Sequence, residues 1–413
     1  MSVIVPFRAI RPQKRFVEEV ASYPYDIVSL KEARRTVKGN PRSFLHVVRS
    51  EVDLPSGVDA HDDMVYKTAK ENLDRLLNEG ILFQESQPCF YIYRQKAGEH
   101  EQYGIVVGVS IYEYESGHIK KHELTMANKK ADRTKHIDVV NAHTGPVLLI
   151  YKAGDSIDRM VEKIINARPD CDFIADDGIS HTVWVVDDKK DIEELKDEFL
   201  KVDSLYIADG HHRVASAAAV AGIRRGKNPN HKGDEEYNNM MVVLFPHNQL
   251  KIMDYNRVIK DLNGLNEKEF LSKVGEKFLV VDNFGGRPPG RLHEFGMYLG
   301  GRWYKLKAKE GSYDKNDIVG TLDVSILQDN LLKPVLGIDD PGSDGRIDFI
   351  GGTAGMEKLE ELVKSGEFVV AFSLYPSSVT QMMDIADAGK VMPPKSTWFE
   401  PKLRSGLFVH LLE

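Results

Sequence analysis

Leu205-Tyr206-Ile207-Ala208-Asp209-Gly210-His211-His212-Arg213-Val214-Ala215-Ser216-Ala217 runs a short apolar strand pattern straight into an acidic, glycine and basic cluster that opens an alanine-rich helix. Asp209 and Gly210 are expected to form the turn, and Gly210 lets the backbone approach a ligand that a Cβ would hold off. Backbone N–H groups at the helix start face the same spot beside Arg213, so an anion there meets dipole, hydrogen bonds and charge together. The expected ligand is a phosphate. Alternatively, Asp209 is an ordinary N-cap before two partly exposed histidines. His211 and His212 seldom share one metal ion, because adjacent residues point about 100° apart on a helix.

With 413 residues, 42% of them hydrophobic, the chain exceeds one ordinary core. Three regions are expected: 1–115, 116–260 and 261–413. A formal charge of −8 disfavours a nucleic-acid partner, although a local basic pocket is allowed. The cysteines are Cys89 and Cys171, with no Cys-x-x-Cys, so neither a disulfide framework nor a thiolate zinc site is indicated. No apolar export segment follows Met1, and no run approaches the roughly 18 apolar residues that span a membrane. A cytoplasmic location without a membrane partner is the expectation.

Strand-like runs alternate with amphipathic helical patterns, the signature of a mixed α/β or α+β fold. Helix 64–78 carries Leu73, Leu76 and Leu77 and closes at Gly80; strands 89–94 and 103–114 follow, joined by a polar loop 95–102. Around the opening motif come a helix ending near Val140, strand 146–151, helix 155–167, strand 183–186 and helix 192–199. The charged, asparagine-rich stretch 224–237 is expected as a mobile loop, either a lid or a solvated connection. Strands 240–245 and 249–253 then lead to Tyr255-Asn256-Arg257, and strands 278–281 and 302–306 flank a linker-like Gly285-Gly286-Arg287-Pro288-Pro289-Gly290.

Two further anion-site candidates lie near the C-terminus. Arg346-Ile347-Asp348-Phe349-Ile350-Gly351-Gly352-Thr353-Ala354-Gly355 precedes helix 356–364, but lacks the lysine and Ser/Thr of a Walker A loop, and a tight turn explains Gly351 and Gly352 equally well. The proline-restrained tail 392–406 combines Lys395, Lys402 and Arg404 with Ser396, Thr397 and Ser405, a set suited to phosphate oxygens. Trp398, Phe399, Leu407 and Phe408 imply that this tail packs down.

His122-Glu123 does not open a metalloprotease helix, since Met126 stands where the second histidine belongs. There is no Gly-x-Ser-x-Gly elbow, and neither Thr353 nor Ser405 has the context of a nucleophile. What remains is Glu123 flanked by Lys120, Lys121, Lys129, Lys130 and Arg133, together with the Asp209–Arg213 turn. Such a set fits phosphoryl transfer, in which one carboxylate takes the proton of the attacking hydroxyl and cations neutralise phosphate charge. Mg²⁺ normally accompanies that chemistry, with Asp209 as ligand or orienter.

Lys121-His122-Glu123, a helix, strand 146–151 and Ile207-Ala208-Asp209-Gly210-His211-His212-Arg213 together resemble the ParB-like nucleotide-binding fold, and more narrowly the free serine kinases built on it. Over nearly its full length, including Pro24-Tyr25-Asp26 and Pro394-Lys395-Ser396-Thr397, the chain also looks like a widespread bacterial and archaeal family long described as a domain of unknown function, some members of which are implicated as serine kinases, pyrophosphate-using ones included. The resemblance implies a ParB-like catalytic core over 116–260 with α/β additions on both sides.

It further implies phosphorylation of L-serine to O-phospho-L-serine with Mg²⁺ and a donor that is pyrophosphate, ATP or ADP, pyrophosphate being favoured. Glu123 matches the base, and Asp209, His211, His212 and Arg213 the phosphate and metal box. Donor-binding candidates are Lys121, His122, Thr125, Lys130, Arg133, Gly210, Gly351, Gly352, Lys395, Ser396, Thr397, Lys402 and Arg404. Tyr25, Asp26, Arg94 and Arg257 are candidates for holding the amino acid, and the protein is expected as a monomer or homodimer. Rival expectations are a nucleotide-dependent ParB-like switch on DNA, which would need a basic helix-turn-helix after the box, and a metabolite sensor without turnover.

Overall fold

Short β-branched runs separated by amphipathic helices fold into a mixed α/β architecture, seen in a computed structural model that describes residues 1–282 and 284–413. Two compact units result. Met1–Lys121, Thr125–Leu250 and Pro401–Glu413 form the first, His122–Leu124 and Lys251–Glu400 the second.

The first unit is built on a nine-stranded sheet. Its strands are β1 (Ile4–Val5), β2 (Phe90–Ala97), β3 (His100–Ser110), β4 (Ile119–Lys120), β5 (Val147–Tyr151), β6 (Cys171–Ile174), β7 (Ser180–Val186), β8 (Leu205–Asp209) and β9 (Asn239–Pro246). Their order is β4-β8-β5-β9-β3-β2-β7-β6, with β1 added to β3. β4 runs parallel to β8 and β5 to β9, while the other pairs are antiparallel. Its longer helices are α1 (Asp63–Asn78), α2 (Ala127–Val140), α3 (Asp155–Ile165), α4 (Lys189–Phe199) and α5 (His211–Lys227). Val214, Ala217 and Val220 recur at helical spacing along α5 and share one buried cluster with Leu149, Ile207 and Val242 of the sheet. That burial packs α5 against the sheet, in contact with β5.

Three local features depart from expectation. The loop expected over 95–102 is strand: β2 and β3 run on until Ala97 faces His100. Gln95 and Gln102 are buried pairing partners, with Gln102 Nε2 donating to Gln95 Oε1 at 3.0 Å and Gln95 Nε2 to the Lys402 carbonyl at 2.9 Å. The loop expected over 224–237 begins instead as the last turns of α5, because Arg224 pairs with Asp138 at 3.2 Å and Arg225 with Glu115. The remainder is tied down, with Tyr237 Oη 3.0 Å from both Asn228 Nδ2 and His231 Nδ1. Finally, β8 bulges: Ile207 faces Leu149 but Asp209 faces Leu148. One extra residue there turns Asp209 off the core-facing alternation that Ile207 follows.

The second unit has a six-stranded antiparallel sheet of β10 (Tyr255–Ile259), β11 (Phe278–Asp282), β12 (Glu294–Leu299), β13 (Arg302–Ala308), β14 (Ile347–Gly351) and β15 (Val370–Leu374), ordered β11-β13-β12-β15-β10-β14. Helix α6 (Glu267–Lys277) precedes β11, and α7 (Gly355–Lys364) follows β14. Leu359 of α7 closes a cluster with Tyr298, Trp303 and Phe368. No helix among the described residues is long and apolar enough to cross a membrane.

Candidate active site

Gly210 stands at the N-cap of α5 with φ 101°, and no side chain caps the helix. A Cβ there would lie 3.1 Å from Arg213 Nε, so both backbone and space require glycine. Asp209, the last residue of β8, sits between two cations: Lys402 Nζ is 3.5 Å from one carboxylate oxygen and Arg213 Nη2 3.7 Å from the other. The same Nη2 is 3.8 Å from Asp26, and Nη1 donates to the Pro146 carbonyl. Burial works against ionising Asp209, but Lys402, Arg213 and His211 outweigh it and hold the carboxyl well below the usual carboxylate range. Burial likewise opposes the charge on Arg213, and Asp26 and Asp209 overcome it.

His211 is buried. His212 Nε2 lies 3.0 Å from the Met126 N–H and accepts it, so that nitrogen carries no proton and the ring joins α5 to the start of α2. From α2, Arg133 lies over the Tyr25 ring, 4.2 Å from its centroid, with Nε 2.7 Å from Asp132. Burial, reinforced by Asp26, pushes the Tyr25 hydroxyl up to about 12. Lys130 is exposed, and its carbonyl accepts from Ser216 Oγ at 3.0 Å. Lys121 and Thr125 are also exposed. Tyr25, Asp26, Arg133, Asp209, Arg213 and Lys402 are thus brought into one set.

His122 and Glu123 belong to the second unit. There the His122 carbonyl accepts from the Met392 N–H at 2.8 Å, and Thr397 Oγ1 is 3.4 Å from His122 Nε2. Ser396 Oγ donates to the Pro393 carbonyl at 2.6 Å, and Lys395 has φ 60° with its ammonium 5.6 Å from the Tyr255 ring centroid. Arg257 donates to the Lys395 and Tyr255 carbonyls, and burial pushes its pKa down to about 10. Gly351 and Gly352 are used for packing: a Cβ at Gly351 would meet Trp398 at 2.8 Å, and one at Gly352 would collide with Asp254, whose carbonyl accepts the Gly352 N–H at 2.8 Å.

Two expected arginines are already engaged elsewhere in the first unit. Arg94 pairs with Glu101 at 3.3 Å and Asp172 at 3.6 Å. Arg404, buried over the Tyr23 ring, pairs with Asp177 and with Asp176 at 3.7 Å. What sequence reasoning missed is Thr144 and Gly145, which line a cavity with Tyr25, Arg133, Arg213 and the expected Ser405. No motif marks them; the tail is folded back to this point by the pairing of Ser22 with Ser405 and of His410 with His143.

As a metal donor Asp209 offers what Mg²⁺ takes, an ionised carboxylate oxygen. Its contacts with Lys402 and Arg213, at 3.5 and 3.7 Å, are longer than tight hydrogen bonds.

The model of one protein family, described as "Protein of unknown function (DUF1015)", matches residues 4–325. The chain belongs to that family. No curated protein matches the DUF1015 chain. Among solved structures it is similar to a free serine kinase in complex with AMP, at 14% identity and a TM-score of 0.38 over 75% of this chain and 92% of that one. It is also similar to a conserved hypothetical protein from Pyrococcus furiosus, at 11% and 0.36 over 75% and 95%. SbnI with a C-terminal truncation, from Staphylococcus aureus, matches at 10% and 0.39 over 74% and 87%.

Proposed function

We propose that the DUF1015 chain is a phosphotransferase that converts free L-serine to O-phospho-L-serine. The observation that supports this best is Asp209, kept ionised between Lys402 and Arg213 at an uncapped helix start. Amides of a helix N-terminus and two cations suit the terminal phosphoryl group of a donor, and their effect grows as charge develops on its oxygens. Mg²⁺, held by Asp209 and donor oxygens, would neutralise phosphate charge. Lys130 and Arg133 extend the cationic side of the site.

Glu123 is the proposed base, three residues ahead of the Met126 that bonds His212. It takes the proton of the serine hydroxyl as the oxygen attacks phosphorus, and the bond from phosphorus to the leaving group breaks. The leaving group is inorganic phosphate from pyrophosphate, ADP from ATP or AMP from ADP. We favour pyrophosphate, because a compact, highly charged donor matches Lys402 and Arg213 and needs no base pocket.

Purified protein incubated with L-serine, Mg²⁺ and each donor in turn is expected to give phosphoserine by phosphorus NMR. No product with any donor rejects the reaction. Ligand binding with Mg²⁺ but no product identifies a sensor, and salt-sensitive retention on DNA identifies a switch. Full activity in Glu123→Gln removes the proposed base.

A further inference from the structure

The cavity beside Arg213 lies wholly within the first unit. Its polar wall carries Tyr25, Arg133, Thr144, Arg213 and Ser405, and its apolar wall Val48, Ile137, Val147, Ala217 and Met240. Arg213 Nε and His143 Nδ1 are buried without a hydrogen-bond partner among the described residues. A guanidinium N–H left unsatisfied in the interior is costly, and a ligand oxygen would relieve that cost.

Charge and size narrow the ligand. Of the two cations that line the cavity, Arg133 is balanced by Asp132 and Arg213 by Asp26, so its wall is neutral before anything binds. A phosphate dianion in the cavity would leave two uncompensated charges, whereas a zwitterion leaves none. His143, kept neutral first by burial, adds no cation. The free space at the centre is about 30 Å³, which at roughly 10–15 Å³ per water-sized group is room for two or three such groups.

We infer that this cavity is the amino-acid subsite, taking the carboxylate end of a small α-amino acid. Arg213 and Arg133 meet the carboxylate, which alone fills the free space, and Asp26, which pairs with Arg213 Nη2 without lining the cavity, meets the ammonium outside it. Arg213 is then shared between two ligands, since the residue that pairs with Asp209 through Nη2 also lines the cavity. Thr144 and Ser405 are positioning residues for the bound carboxylate. Only the choice of L-serine as the natural ligand rests on the phosphotransferase proposal.

Titration calorimetry on the full chain separates the two claims. L-Serine and L-alanine are both expected to bind with similar affinity, because the clasp does not involve the hydroxyl, while L-phenylalanine and inorganic phosphate do not displace them. Arg133→Gln should weaken L-alanine binding by about tenfold or more, the loss of one charged hydrogen bond. Thr144→Val, which keeps the shape, should weaken it several-fold and carries the test if Arg133→Gln melts early. Absent L-alanine binding, displacement by phosphate, or unchanged affinity in Thr144→Val overturns the subsite. L-Alanine binding without phosphoserine formation leaves the subsite standing and rejects the kinase; phosphoserine formation with unchanged KM in both variants does the reverse.

Discussion

Asp209 is charged because of its neighbours, and that dependence can be measured. Asp209→Asn leaves Lys402 facing the α5 start without a counter-charge and Arg213 with Asp26 alone. Pyrophosphate should therefore bind this variant several-fold more tightly than wild type when Mg²⁺ is absent, and more weakly when it is present, by calorimetry under both conditions. Phosphoserine formation should fall at least about 100-fold, as when one preorganised charge-stabilising group is removed. Gly210→Ala should cost about 1–2 kcal/mol, because φ 101° disfavours any Cβ and Arg213 stands 3.1 Å from it; a urea midpoint shift at unchanged slope would confirm this. Much of this turn was legible, because Asp209, Gly210 and Arg213 are adjacent in sequence and their chemistry is local. Thr144 was not, since no motif or periodic pattern marks it; Asp26 and Ser405 stood in stretches already singled out, and only their meeting beside Arg213 was hidden, because loops and a returning tail bring it about.

Elements were read well where apolar periodicity was strong and poorly where polar side chains are buried in pairs. Helix 155–167 and strand 240–245 appear as α3 and β9 within a few residues, because their apolar faces meet the same core. Gln95 and Gln102 looked like loop residues; their amides satisfy each other inside the sheet, and composition cannot show that. The bulge in β8 is equally invisible, yet it decides which way Asp209 points. The same limits apply to α5, which runs through Gly222 and into the 224–237 stretch expected as a loop. Glycine inside a helix costs about 1 kcal/mol, an amount that the Arg224–Asp138 pair offsets. Arg224→Met should therefore leave the first turns of α5 intact while amides of 223–227 exchange up to about tenfold faster by mass-spectrometric hydrogen exchange. Equal exchange in both proteins would assign the helix end to propensity alone.

Across the whole molecule, the two units should respond to acid in opposite directions. His136 and His181 of the first unit are pushed down to about 3 and His143 well below its usual value, burial being the leading cause each time. They stay neutral in the folded state while the unfolded chain takes up protons below about 6.5, so their stability is present above that value and is lost as pH falls through it. Between pH 7.5 and 5 each should remove about 2 kcal/mol at most. The ionisation of Asp209 adds nothing in that window, because its depressed pKa makes its contribution fade only below about 4. In the second unit, Asp323 is buried with one carboxylate oxygen unpartnered, and burial raises its pKa to about 7 despite the His293 N–H at 2.8 Å. The folded unit prefers it protonated, so its stability is greatest below about 4 and declines as pH rises towards 7. Acidification over the same window should therefore stabilise this unit by about 2 kcal/mol. Hydrogen exchange in urea at pH 7.5 and 5, corrected for intrinsic rates, should show protection falling in peptides of the first unit and rising in those of the second. Asp323→Asn should abolish the rise and leave the fall unchanged; parallel losses in both units would show that the Asp323 carboxyl is ionised in the folded protein.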